Sequence, residues 1–209
     1  MIAVMMEDTD LVATWNVPLS KKTYTVKFEH GTTTGKRIIY VDDKVVLKRD
    51  YMFKLVGKES FNIEKFPCTI SIDAMGIFSY EYCLEVNGKA FEKFQEQQKK
   101  SLIIWCDHIG GIETRICLDK ETMDVWVNGN KIETTGEFLD DGTNTHFTYG
   151  SNTCIIRSKS SGKKQIGLVY TLTVNGKSIE SENSKEDRAK AAEDTEMMKR
   201  LLAIQDQDA

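Results

Sequence analysis

Two halves of this 209-residue chain repeat each other, and the repeat limits the folds that the chain can adopt. The stretch Tyr82–Gly88 recurs 88 residues later as Tyr170–Gly176, with the same alternation of apolar residues and the same Val-Asn-Gly ending. Further landmarks match at offsets of 86 or 90 residues, namely Trp15 with Trp105, Phe28 with Leu118, Tyr40 with Trp126, Phe61 with Phe147 and Cys68 with Cys154. Two copies of one domain explain these offsets, whereas one large domain does not.

Each copy carries the pattern of β-strands. Apolar and polar residues alternate over Tyr24–Phe28 and over Leu168–Val174, which is the period of a half-buried strand. The Asn-Gly pairs at Asn87 and Asn175 suit the positive φ angles of tight hairpins. Strands that recur roughly every 8–12 residues with one apolar face must stack sheet on sheet. The sequence therefore predicts an all-β chain of two tandem antiparallel β-sandwich domains related by internal duplication, with a small barrel as the alternative for each copy.

The repeat also sets the expected domain limits. We expect an N-terminal extension at 1–10, an N-terminal β-sandwich domain at 11–93, a linker at 94–100, a C-terminal β-sandwich domain at 101–180, and an acidic helical or disordered tail at 181–209. The linker is assigned because its residues are polar and lack a strand pattern. The tail is assigned because alanine, glutamate, lysine, methionine and leucine dominate it.

The tail has weak helical signals. Ser184 and Asp187 resemble a capping box. Met197, Leu201 and Ile204 form a narrow apolar stripe at helical spacing. Because isolated helices of this length are marginal in water, we expect a frayed or partly docked helix, and a dedicated partner site is the alternative.

Charge and composition exclude several classes of protein. The formal net charge is −4, and lysine and arginine do not form the clustered basic footprint of a nucleic-acid binder. The chain has no apolar run near the roughly 20 residues that a membrane span needs, and its start lacks the features of a secretion signal. We therefore expect no nucleic-acid partner, no membrane insertion and a cytoplasmic location.

The five cysteines support the same location, because their number is odd and none forms a C-x-x-C pair. Cys68 alternates with Ile70 and Ile72, which predicts a core position. Cys83 and Cys117 fall opposite their apolar neighbours, so we expect both thiols to be accessible. A redox or crosslinking role for them is the alternative to an ordinary surface thiol.

The stretch His30–Arg37 resembles a phosphate-binding loop but lacks its chemistry. Three residues separate its glycines, where a P-loop has four. Arg37 follows Lys36, where a serine or threonine would hold magnesium, and a strand pattern follows in place of a helix. We interpret the stretch as a hairpin loop and expect no nucleotide cofactor.

A second polar stretch, Asp140–Phe147, places carboxylates beside His146 without the spacing of a calcium loop. The three histidines, at 30, 108 and 146, are too scattered to indicate a zinc site, and no G-x-S-x-G motif occurs. We therefore expect no metal, no cofactor, no catalytic residues and a non-enzymatic protein. The enzymatic alternative requires a pocket that joins His146 with Asp140 or Asp141.

Several longer motifs carry a family resemblance. They are Asp10–Trp15, Phe28–Arg37, Met52–Phe61, Met123–Trp126, Glu133–Phe138 and Asp140–Phe147. Over residues 10–180 the chain resembles the Fas apoptotic inhibitory molecule family. The resemblance implies a cytosolic, non-enzymatic regulator built of two β-sandwich domains that protects against death-receptor-induced apoptosis. It also implies a link to ubiquitinated proteins and to limiting protein aggregation under stress.

Two functional hypotheses follow. In the first, the chain negatively regulates apoptosis by binding components of death-receptor or apoptosis signalling. In the second, it is a holdase-like protein that covers misfolded or ubiquitinated clients with sheet edges or apolar patches. We expect the contact surface to be the loop that is four residues shorter in the second copy. The residues of this expected contact loop are His30, Thr32, Thr33, Thr34, Lys36 and Arg37. Neutral drift of the loop is the alternative.

Overall fold

A computed structural model describes residues 10–76, 79–162 and 167–205 of the chain. Apart from Asp10, the expected N-terminal extension lies outside the described residues. The chain divides into two compact units, Met1–Gln98 (unit 1) and Lys99–Ala209 (unit 2). The finer limits of 11–93 and 101–180 stay predictions.

Unit 1 is built of antiparallel strands in two sheets. The strands are β1 (Leu11–Pro18), β2 (Thr23–His30), β3 (Arg37–Val41), β4 (Lys44–Arg49), β5 (Gly57–Ile63), β6 (Phe66–Ala74), β7 (Tyr80–Val86) and β8 (Lys89–Ala90). The first sheet has the order β1-β2-β3-β4, and the second has the order β5-β6-β7-β8. Every sequential pair within a sheet is antiparallel, so each sheet is a meander.

The two sheets of unit 1 share one hydrophobic core. Val26 and Phe28 of β2 lie in the same buried cluster as Ile70 of β6 and Leu84 of β7. Burial of each such side chain stabilises the fold by roughly 1.5–3 kcal/mol, and the alternation along each strand directs one face inward. Cys68 is also buried in this cluster, which confirms its expected core position.

Unit 2 has a similar architecture, with one more strand among the residues that the structure describes. Its strands are β9 (Leu102–Ile109), β10 (Ile112–Asp119), β11 (Val125–Val127), β12 (Asn130–Ile132), β13 (Thr135–Leu139), β14 (Gly142–Tyr149), β15 (Asn152–Ser160), β16 (Leu168–Val174) and β17 (Lys177–Ile179). The sheet orders are β12-β11-β10-β9 and β13-β14-β15-β16-β17. Trp105, Leu118, Ile156 and Leu172 join in a core that both sheets supply.

The strand register follows the sequence repeat. Glu59 pairs with Ile70 across β5 and β6, and Thr145 pairs with Ile156 across β14 and β15, 86 residues later. The expected all-β class is confirmed. Strand β13 has no counterpart among the described strands of unit 1, where the matching residues form part of β4 and the irregular segment that follows it.

Two helices complete the described chain. The expected linker, 94–100, lies within α1 (Phe91–Ser101), whose Phe94 is buried against the core of unit 1. The tail forms α2 (Glu182–Gln205), as one of the two expected alternatives. Neither helix has the length and apolar character that crossing a lipid bilayer demands, within the part of the chain that the structure describes.

The start of α2 is anchored to the sheet. Ser181 bridges to Trp105 of β9, and Asn183 Oδ1 accepts a hydrogen bond from the amide of Ile104 at 3.4 Å. The amide of Ser184 donates to Ser181 Oγ at 3.2 Å, so Ser181 is the cap, and the expected capping box at Ser184 is wrong. Of the expected stripe, Met197 is exposed, and the side chains of Leu201 and Ile204 lie outside those described.

Candidate functional site

The expected contact loop joins β2 to β3 and packs on a neighbouring segment of unit 1. Its ends are tied by hydrogen bonds from Gly31 N to Lys36 O at 2.9 Å and from Gly35 N to Gly31 O at 2.7 Å. Gly35 has a φ of +68°, and a Cβ there would lie 2.2 Å from the carbonyl oxygen of Met52. Met52 N in turn donates to Thr34 O at 3.1 Å. The loop is therefore held against the irregular segment 50–56.

Arg37 begins β3 and points into the protein, where only 2% of it is exposed. Its Nη1 donates to Glu59 Oε1 at 2.8 Å, and its Nη2 donates to the carbonyl oxygens of Lys54 and Val56 at 2.7 and 3.1 Å. A buried charge is tolerated only when it is paired and hydrogen-bonded in this way. Arg37 thus fastens segment 50–56 to both sheets of unit 1.

His30 ends β2 and is equally buried, at 2% exposure. Its Nδ1 lies 2.9 Å from the hydroxyl of Tyr82, and its ring packs among Phe28, Tyr80 and Tyr82. Burial, together with the positive charge of Arg37, lowers the pKa of His30, so the imidazole is neutral at pH 7. His30 belongs to an aromatic cluster inside unit 1.

Lys36 lies between the interior and the surface. Its Nζ is 2.8 Å from Glu29 Oε2 and 3.1 Å from Asp10 Oδ2, and Tyr40 donates to Glu29 Oε1 at 2.7 Å. Burial favours the neutral form of Glu29, but the hydrogen bonds from Lys36 and Tyr40 outweigh it and lower the pKa of that carboxyl. This network fixes the base of the loop.

The structure therefore divides the six expected contact residues. Thr32, Thr33 and Thr34 are exposed, and Lys36 is partly exposed. His30 and Arg37 are interior, because they are the last and first residues of paired strands and not part of the loop tip. The expectation that these two side chains present a contact surface is not met in the structure.

The sequence reasoning missed a group of exposed apolar side chains in unit 1 that lie beside this loop. Phe53 is 94% exposed, and its ring meets that of Tyr51 edge to face at a centroid distance of 5.4 Å. Val45, Val46 and Val56 are also exposed. We call residues 44–58 the β4–β5 surface.

The β4–β5 surface is also strongly basic. It contains five basic residues against one acidic residue, a net charge of +4 within a chain of net charge −4; the basic residues are Lys44, Lys48, Arg49, Lys54 and Lys58, and the acidic residue is Asp50. All five basic side chains are exposed. The signal that could have found this surface is the mixing of charged and aromatic residues in Arg49–Lys54, which fits neither strand nor helix periodicity.

The polar stretch of unit 2 forms surface ion pairs. His146 Nε2 lies 3.0 Å from Glu137 Oε2, whereas Asp141 pairs with Arg157 and Lys159, each at 3.0 Å. The structure therefore does not bring His146 and Asp141 together. Within residues 10–76, 79–162 and 167–205, no three His, Cys, Asp or Glu side chains converge as metal ligands.

Unit 2 also has a cleft of about 310 Å³ where α2 leaves the sheet. Lys120, Tyr170 and Asn183 are among its lining residues, together with Glu186 and Asp187 of the helix. Lys99 in this cleft is paired with Glu186 at 2.8 Å. The lining thus carries charges of both signs and does not select one class of ligand.

The cysteines are free thiols in different surroundings. Cys83 is exposed, as expected, and partial burial and the nearby Glu81 raise its pKa. Cys117 is buried, which corrects the expectation of accessibility: it lies on a central strand between Ile104 and Trp126, and burial raises its pKa to about 11. Both groups are protonated at pH 7, which makes them weak nucleophiles.

Comparison with known proteins places these features in a family. A family profile described as Fas apoptotic inhibitory molecule (FAIM1) matches residues 11–182. The chain is 50% identical over 173 residues to Fas apoptotic inhibitory molecule 1 of Homo sapiens and of Mus musculus, which covers 82% of this chain and 97% of each relative. It is equally similar to the protein of that name from Rattus norvegicus, over 86% of that relative. The chain belongs to the Fas apoptotic inhibitory molecule family.

Proposed function

We propose that this chain is a non-enzymatic regulator that restrains apoptosis by binding other proteins in the cytoplasm. The β4–β5 surface carries the proposal, because exposed aromatic residues surrounded by basic ones are typical of a protein contact. The name of the relatives supports the apoptotic role. Five free thiols support a reducing compartment.

Caspase activation in living cells tests this function. Cells that lack their own family member are made to express the full chain and are then treated with an agonist of the Fas receptor. We expect the wild-type chain to lower caspase activity, and the double variant Tyr51→Ser/Phe53→Ser to lose this effect at equal expression, because its contact surface is gone.

The matched control is Phe138→Ser, which removes an equally exposed phenylalanine (90% exposed) from β13 of unit 2. This variant should protect as the wild type does. Equal protection by all three proteins would refute the β4–β5 surface as the contact, and absence of protection by the wild-type chain would refute the apoptotic function.

The loop between β2 and β3 adjoins this surface through Met52, and we propose Thr32, Thr33 and Thr34 as its exposed contacts. The variant Thr32→Glu/Thr33→Glu changes the loop tip without touching the hydrogen bonds of Thr34. We expect it to weaken protection in the same cells. Protection equal to that of the wild type would assign the loop to neutral drift.

A second candidate function is a holdase that limits aggregation of misfolded or ubiquitinated proteins. The observation that favours it is the combination of exposed Phe53 with strand β5 at the edge of its sheet, since both can cover strands of an unfolded client. Light scattering of a thermally unfolded client at an equimolar ratio tests it. Wild-type protein should delay aggregation, and unchanged kinetics would exclude this function.

A further inference from the structure

The edges of the four sheets differ in how they are protected. Strands β1 and β4 carry register shifts that bend an edge away from new partners. Strand β9 is contacted by α2, and β8, β12, β13 and β17 have five residues or fewer. Among the described edge strands that no helix contacts, β5 alone combines seven residues with an unbroken register along its inner neighbour.

Unit 2 shows which kind of strand pairs with such an edge. Strand β14 is the counterpart of β5, and its outer edge is paired along five residues with β13, in a register that joins Thr135 to His146 and Leu139 to Gly142. In unit 1 the chain before β5 cannot fold back in the same way. Gly57 has a φ of +137°, and Arg37 holds the carbonyl oxygens of Lys54 and Val56. The position that β13 fills in unit 2 has no paired strand among the described residues of unit 1.

The charges define the occupant. The stretch around β13, Glu133–Asp141, contains four acidic residues and no basic one, a net charge of −4, and it carries the exposed Phe138. The β4–β5 surface beside the free edge has a net charge of +4 and exposes Tyr51 and Phe53. Lys58 is an exposed charged residue on β5 itself, which disfavours edge-to-edge pairing of two copies of this chain, and it attracts an acidic strand.

We propose that the free edge of β5 binds an extended, acidic segment of a partner protein as a fifth strand, in the way that β14 binds β13. Backbone hydrogen bonds to β5 provide the affinity, carboxylates meet Lys54 and Lys58, and an aromatic or apolar side chain meets Phe53. The inference rests on the proposed protein-binding function and specifies the chemistry of the partner.

A peptide with the sequence of Glu133–Asp141 is the probe, because it is the strand that occupies the matching edge in unit 2. Fluorescence anisotropy of the labelled peptide with the full chain should give a Kd of about 10–100 μM at low salt, and the affinity should fall as salt is added. Hydrogen exchange of the Gly57–Ile63 amides should slow by about fivefold or more at saturating peptide, because those amides become part of a sheet interior.

Matched variants separate strand addition from charge attraction alone. Lys58→Glu should weaken binding by about tenfold, whereas Lys93→Glu on α1, with the same change of charge, should not. Successive residues of a strand point their amides to opposite sides, so at least one of the peptides Thr135→Pro and Gly136→Pro loses a bond to β5 and should bind at least about tenfold more weakly.

Several outcomes would overturn the proposal: no binding of the peptide, binding without protection of Gly57–Ile63, or equal binding by Lys58→Glu. Sedimentation that shows the chain alone to be a dimer through β5, or binding of phosphatidylserine vesicles in place of the peptide, would also overturn it. Failure of the peptide while caspase protection still depends on Phe53 refutes only the strand proposal. Binding of the peptide without any caspase protection refutes only the proposed function.

Discussion

The two units differ at the corresponding corner between their two sheets. In unit 1, buried Arg37 pairs with Glu59 and holds the backbone of segment 50–56. The matching positions in unit 2 are Met123 and Thr145, both neutral, and a hairpin with β13 lies where unit 1 has the irregular segment. One topology therefore tolerates either a buried ion pair that clamps a loop or an added strand.

Among the described strands, this difference explains why the edge of β5 in unit 1 is unpaired whereas the matching edge of β14 in unit 2 is paired. The clamp needs room for a guanidinium between the sheets and for the longer β2–β3 loop that packs on Met52. The hairpin needs neither, and its strand pairs with β14 directly. The irregular backbone also exposes Tyr51 and Phe53. The irregular segment that accompanies the buried ion pair therefore also forms the candidate contact surface.

Removing the clamp should have the largest effect. Arg37→Met leaves Glu59 buried without its partner and leaves the carbonyl oxygens of Lys54 and Val56 without their donor. We expect the free energy of unfolding of unit 1 to fall by about 3–5 kcal/mol. Native-state hydrogen exchange of the β3 and β5 amides in the full chain measures the loss.

The unit 2 pair provides the control. The double variant Arg37→Met/Glu59→Thr gives unit 1 the residue types that unit 2 has at the matching positions, Met123 and Thr145. It should recover most of the lost stability because no buried charge remains. If the single variant cost less than about 1 kcal/mol, the pair would not be the clamp that distinguishes the units.

Disrupting the close contact between the β2–β3 loop and segment 50–56 should have the next largest effect on stability. In Gly35→Ala the new Cβ meets the carbonyl oxygen of Met52 at 2.2 Å and the residue must also keep a φ of +68°. We expect a loss of about 2–4 kcal/mol in the stability of unit 1, measured by thermal unfolding of the full chain. Gly176→Ala in unit 2, with a φ of +80° and no atom within 4 Å, should cost only about 1–2 kcal/mol. Equal losses would show that the loop is not packed on Met52.

Acid should weaken unit 1 through His30. Its pKa is lowered in the folded state, so the unfolded chain binds the proton first as the pH falls. The stability of unit 1 is therefore complete above the ordinary histidine pKa and is lost as the pH falls from that value through the lowered pKa of the folded state. The slope is at most about 1.4 kcal/mol per pH unit for one group. Urea unfolding between pH 7.5 and 5.5, followed by the exchange of β2 amides, measures it.

The variant His30→Phe isolates this contribution. Whatever its stability at pH 7.5, it should lose the slope that His30 gives to unit 1, because no imidazole remains in the cluster. The matching residue of unit 2 is Lys120, so unit 2 has no imidazole at this position and the variant contrasts the two units. An unchanged slope in the variant would assign the acid response to other groups.

Much of this fold could be predicted, because it depends on local patterns. Alternation over Tyr24–Phe28 and the Asn-Gly turns specify strands and hairpins without reference to the rest of the chain. The burial of Arg37 and His30 could not be predicted in the same way, since both are polar residues at loop ends and their partners Glu59 and Tyr82 lie 22 and 52 residues away. For this reason the sequence assigned two interior side chains, His30 and Arg37, to the expected contact surface.

Phe53→Ser, which is expected to weaken function strongly, should have the smallest effect on stability. Phe53 is 94% exposed and Phe138 is 90% exposed, so replacing either by serine removes little buried area, and each variant should stay within about 0.5 kcal/mol of the wild type. Thermal unfolding of the two full-length variants tests this equality. If they unfold alike and only Phe53→Ser weakens binding of the acidic peptide, the difference between the units lies in what their edges accept and not in how well they fold. If Phe53→Ser destabilises unit 1 by more than about 1 kcal/mol, its ring supports the corner that Arg37 clamps, and the exposed surface is structural.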